Sequence, residues 1–113
     1  MNWVRQQGLA ILAILLFTIA QAMAAPNYTI TQVTNNFFDD KYPQINNEGH
    51  VVWRGSDASA IDLEIYLYTG TKIIQITDNT FSDLNPKIND NGYIVWERYG
   101  DGPDYEIFLY DGT

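Results

Sequence analysis

Carboxylates carry the most obvious chemistry in this 113-residue sequence, and they gather in two loops. The first, GSDASAIDLE, holds Asp57, Asp62 and Glu64; the second, YGDGPDYE, holds Asp101, Asp104 and Glu106. Hard cations such as Ca²⁺ take about six to eight oxygen ligands from carboxylates and carbonyls. If the chain holds a metal, calcium at these residues is therefore the expected one, and the absence of cysteine argues against zinc or copper. The spacing departs from the EF-hand loop, and the two loops differ in length. Solvated charge that keeps the chain soluble and blunts strand edges is the simpler reading.

No arrangement for catalysis stands out. Glu64 and Glu106 would serve as a glycosidase pair only at roughly 5 to 9 Å across one sugar bond, and nothing in the sequence fixes that separation. The single histidine, His50, has Tyr93 as its counterpart in the repeat described below, which marks an amphipathic packing position. Without that imidazole, Ser56, Ser59 and Ser82 lack a conventional base. The chain is expected to be non-catalytic and to need no cofactor apart from any calcium.

The net charge of −8 repels phosphate backbones and anionic lipid, so neither nucleic acid nor a membrane surface is an expected partner. Residues 1–24 read as a secretory signal peptide. MNWVRQQ carries Arg5, and an apolar run of about 12 residues follows, short of the roughly 20 that span a bilayer. Ala22, Met23 and Ala24 then supply a small-residue cleavage site. The mature region, residues 25–113, is expected to be exported to the periplasm or outside the cell, with no membrane insertion after cleavage. It has no cysteine for the disulfides that small exported domains often use, so packing alone must hold it together.

What positions these residues is a repeat. YPQINNEGHVVW, residues 42–53, returns as NPKINDNGYIVW, residues 85–96. Gln32, Thr34, Asn36, Phe38, Asp40, Pro43, Gly49 and Trp53 recur 43 residues later as Gln75, Thr77, Asn79, Phe81, Asp83, Pro86, Gly92 and Trp96. Beyond the variable loop the offset becomes 42, so that Glu64, Ile65, Leu67, Tyr68 and Gly70 recur as Glu106, Ile107, Leu109, Tyr110 and Gly112. A period of about 40 to 45 residues is that of a four-stranded propeller blade.

The local signals predict the strands. Residues 44–46 lead into the turn NNEG, whose Gly49 suits the left-handed conformation of a tight hairpin, and NDNG repeats it with Gly92. Residues 50–54 and 93–98 are the second strands, residues 64–68 and 106–110 the third, and residues 72–77 a fourth, with residues 29–34 as its lone counterpart from a preceding blade. Apolar or aromatic side chains on both faces of a strand predict two-sided burial, with Trp53 and Trp96 as wedges between blades. The expected fold is all-β: two four-stranded antiparallel blades of a partial β-propeller, the first over about residues 42–77 and the second, incomplete, over about residues 85–113. Closure takes about 4 to 8 blades, so the chain is expected to be a piece of a longer propeller or a homo-oligomer that closes a ring.

The pattern P-x-I-N-x-x-G-x-[IV]-V-W, a variable loop, E-I-[YF]-L-Y-x-G-T and I-x-Q-[IV]-T resembles the TolB-like, or WD40-like, propeller repeats of exported bacterial proteins, over residues 28–113. The Ser-Pro-Asp-Gly-Lys turn of that family is replaced here by residues 46–50 and 89–93, which keep the glycine. The resemblance implies a scaffold that binds a protein or glycan partner through its blade loops. The alternative it leaves open is the propeller portion of a larger secreted hydrolase or peptidase. Phe38 and Phe81, beside Asn and Asp in the connections between blades, would stack on such a ligand or plug the gap between blades.

Overall fold

The computed structural model describes residues 25–113 apart from Asp57, Ser59, Ala60 and Asp101; the expected signal peptide lies outside the described residues. The chain divides into two units, Met1–Thr31 and Gln32–Thr113. In the first, the described residues 25–31 are exposed and without regular secondary structure. The second holds two antiparallel sheets, and among the described residues there is no helix.

The first sheet is a meander of β1 (Asp40–Ile45), β2 (Val51–Ser56), β3 (Leu63–Tyr68) and β4 (Ile73–Gln75), in that order. The second is a meander of β5 (Ser82–Ile88), β6 (Ile94–Tyr99) and β7 (Tyr105–Tyr110). The strands are rich in Val, Ile, Tyr and Trp, whose branched or flat side chains fit a pleated surface. The turn glycines take the left-handed conformation, with φ of 79° at Gly49 and 82° at Gly92. Asn46 ties its turn by accepting the N–H groups of Glu48 and His50 on Oδ1, at 3.1 and 3.0 Å.

The second sheet has three strands, as expected of an incomplete copy. Two expectations need correction. Residues 29–34 form no strand, although their sequence matches β4: a strand persists by ladder hydrogen bonds, and none of the described strands pairs with these residues. The first strand begins at Asp40, well before residue 44, because β1 continues through a bulge between Lys41 and Gln44, as β5 does between Leu84 and Lys87. Each bulge places a non-glycine residue in the left-handed region, Tyr42 at φ 57° and Asn85 at φ 53°, immediately before a proline that has no N–H to give the ladder.

The core lies between the sheets. Val52, Ile65 and Leu67 of the first meet Ile94 and Trp96 of the second, with Ile76, Ile88, Phe108 and Tyr110 packed around them. Each such side chain contributes about 1.5 to 3 kcal/mol when fully buried. With no disulfide, this cluster is the main source of cohesion.

Candidate functional site

Where β4 leads into β5, a chain of polar groups is sealed between the sheets. Glu64 on β3 is fully buried, and its carboxylate accepts the Thr77 hydroxyl, the Asn79 backbone N–H at 3.0 Å and the Asn79 side-chain amide at 3.5 Å. Thr77 Oγ1 also accepts the Ile65 N–H at 2.9 Å. The Asn79 amide reaches on to Asp83 Oδ2 at 2.6 Å. Asp83, fully buried on β5, accepts the Trp96 indole N–H at 2.6 Å and Arg98 Nε at 2.9 Å on its other oxygen. A carboxylate out of water is tolerable only when its lone pairs are met by donors; here backbone, amide, hydroxyl, indole and guanidinium groups meet them.

Burial pushes the Glu64 carboxyl above the ordinary glutamate value. The Thr77 hydroxyl and Asn79 N–H pull against that rise, while the negative charges of Asp83 and Asp62 add to it.

The same layout is half-built before β1. The Asn36 amide donates to Asp40 Oδ2 at 3.0 Å, Phe38 N–H donates to Asn36 Oδ1 at 2.8 Å, and the Trp53 indole donates to Asp40 Oδ1 at 2.8 Å. The second copy matches it through Asn79, Phe81 N–H at 2.8 Å, Asp83 and Trp96. Gly55 stands opposite Asp40 where Arg98 stands opposite Asp83. A Cβ at Gly55 would lie 2.7 Å from Asp40 Oδ1, so the first copy has no room for the arginine. The turns of the two copies are also joined. Asn47 donates to both oxygens of Asp90, at 2.9 and 2.7 Å, and the Asn46 amide donates to the Asn89 carbonyl at 3.0 Å.

Of the six acidic residues expected to hold calcium, the four described ones stand in unlike surroundings. Glu64 is turned inward to Thr77 and Asn79, Asp62 is half-buried, Asp104 and Glu106 are exposed, and Asp57 and Asp101 lie outside the described residues. Among the described residues no three His, Asp or Glu side chains converge on a point that could hold an ion. Trp53 on β2 and Trp96 on β6 are 4% and 7% exposed and stack on Tyr66 and Phe108, with ring centroids 5.9 and 6.0 Å apart. Pro86 is buried and Pro43 exposed. His50 is half-buried at the turn, and its counterpart Tyr93 is exposed.

The residues that sequence reasoning missed are Thr77, Asn79 and Asp83. Their recurrence from Thr34, Asn36 and Asp40 was the available signal, since small polar residues repeated at a fixed offset inside apolar strands must be answering one another. Beside Trp53, Tyr66, Phe38, Asn36 and Gln75 line an open cleft of about 390 Å³. Compared with known proteins, the chain matches no family model, no curated protein and no solved structure.

Proposed function

We propose that the chain is two successive blades of an exported, TolB-like β-propeller repeat protein and serves as a non-catalytic scaffold for a protein or glycan partner. The observation that carries this reading is the pair of Asn–Asp–Trp networks: equivalent residues 43 apart make the same bonds in both sheets. Each network lies within its own sheet, and Asn79 carries the second across to Glu64 on β3 of the first, as a joint between neighbouring units of a repeat architecture does. The carboxylate with a raised pKa, Glu64, is surrounded by protein donors and fully buried, so no substrate reaches it. The apolar run and cleavage site of residues 1–24 support export.

Binding falls to the rim where β2 turns toward β3. There Phe38, 39% exposed, stands over the cleft with Asn36 and Gln75, an aromatic face beside amide groups that suits a sugar ring or a peptide. Glycan and peptide arrays probed with the labelled chain test this. Saturable binding to one class, weakened by Phe38→Ala and accompanied by no turnover, is the expected result. Hydrolysis of an array ligand by the purified chain, abolished by Glu64→Gln, would replace the scaffold with an enzyme.

A further inference from the structure

The two sheets contain equivalent residues in unequal surroundings. On the first sheet Val52, Ile65 and Leu67 are 0%, 0% and 7% exposed because the second sheet covers them; their counterparts Val95, Ile107 and Leu109 are 38%, 71% and 60% exposed. On the surface that does the covering the inequality reverses at one position: Ile88 of the second sheet packs into the core, whereas its counterpart Ile45 on the first is 69% exposed. The second sheet thus leaves bare the surface that the first has covered, and the first leaves Ile45 bare while Trp53, the counterpart of Trp96, stays buried.

The polar groups are divided in the same way. Glu64 is capped by Thr77 and Asn79, while its counterpart Glu106 is exposed and its carboxylate accepts no hydrogen bond among the described residues. The residues equivalent to that cap, Thr34 and Asn36, are present before β1, where Asn36 already holds Asp40 as Asn79 holds Asp83. An acceptor lacking its donors lies at one end of the molecule, and the matching donors lie at the other.

We propose that the second sheet docks a second copy of this chain, head to tail. The incoming copy's Gln32, Val33 and Thr34 lie along β7 as Gln75, Ile76 and Thr77 lie along β3, with its Thr34 hydroxyl and Asn36 N–H on Glu106. The inference rests on the reading of each sheet as one repeat unit. The pairing of β3 with β4 and the residues that continue it is the template, because Ile76 N–H donates to the Ile65 carbonyl at 2.7 Å and Thr77 caps Glu64. A second copy is the occupant that supplies the required sequence, apolar face and donors together. The contact is heterologous, so each docked copy presents a new bare face.

The chain has no cysteine, which makes crosslinking clean. In one full chain Val33→Cys is introduced and in another Ile107→Cys, the counterparts of the facing pair Ile76 and Ile65. The two are mixed, oxidised mildly and weighed intact under denaturing, non-reducing conditions. Selective formation of the mixed dimer over both homodimers is expected, and adding Glu106→Ala to the second partner lowers its yield about tenfold. The double variant Tyr68→Cys, Ile73→Cys, at paired positions of β3 and β4, reports on the template within one chain. If that internal disulfide forms while the mixed dimer stays at the statistical level, head-to-tail docking is wrong and the repeat reading survives. If neither forms, both fall. Sedimentation of the parent chain as a strict monomer at the same concentration would also overturn the proposal.

Discussion

Glu64 and Glu106 occupy the same position on β3 and β7, yet one carboxylate is fully buried and the other is open to water. The difference comes from what lies across from them, Thr77 and Asn79 in the first case and solvent in the second. One residue type thus becomes an internal joint in one sheet and a charged edge in the other.

Because burial raises its pKa, Glu64 keeps its proton in the folded chain at pH values where the unfolded chain has released it. The stability this group contributes is complete below the ordinary glutamate value and is lost as pH rises through the raised folded value. Urea unfolding of the parent and Glu64→Gln, followed across that window, should show the parent falling relative to the variant by at most about 1.4 kcal/mol per pH unit. Parallel curves would mean that Glu64 titrates alike in both states.

Replacing either tryptophan by phenylalanine removes an indole donor but retains the aromatic stack. Trp96→Phe leaves the fully buried Asp83 one donor short and is expected to cost about 1 to 3 kcal/mol. Trp53→Phe costs less, since half-buried Asp40 can turn to water. Denaturant midpoints in the reverse order would contradict the asymmetry.

Thr77 serves two partners with one oxygen, donating to Glu64 and accepting from Ile65 N–H. Thr77→Val keeps the shape, strips both bonds and is expected to lose about 2 kcal/mol or more. Thr77→Ser keeps the hydroxyl and recovers most of that loss. Equal losses for Val and Ser would assign the effect to packing of the methyl group.

Two glycines separate strain from crowding. Gly49→Ala meets open space but must hold φ near 79°, a penalty of roughly 1 kcal/mol. Gly55→Ala places its Cβ 2.7 Å from an Asp40 oxygen that Trp53 fixes, so about 1 to 3 kcal/mol is expected from overpacking. Thermal unfolding of the two variants ranks them, and a neutral Gly55→Ala would show that Asp40 moves freely.

The sequence made the all-β class legible because apolar runs, turn glycines and the repeat agree with one another. Strand starts were less legible: Pro43 and Pro86 argue against ladder pairing, and a bulge evades that argument by lifting them out of register. Residues 29–34 misled for another reason, since strand propensity is local while a ladder needs a neighbour. At the site, acidic loop residues drew attention as metal ligands, whereas the structure gives Glu64 to Thr77 and Asn79. Composition shows that a carboxylate is present; only the packed partner across the gap determines whether it faces solvent or a hydroxyl.

The bonds from Asn46 and Asn47 to Asn89 and Asp90 fasten the two copies at one rim, through residues that share a place in the repeat. Any added or deleted residue in those turns would throw neighbouring copies out of step. The connections after β2 and β6 lie at the far end of the strands and already differ in length. That rim is where a duplicated unit can diversify, gaining new loops while the clasp at the other end keeps its phase.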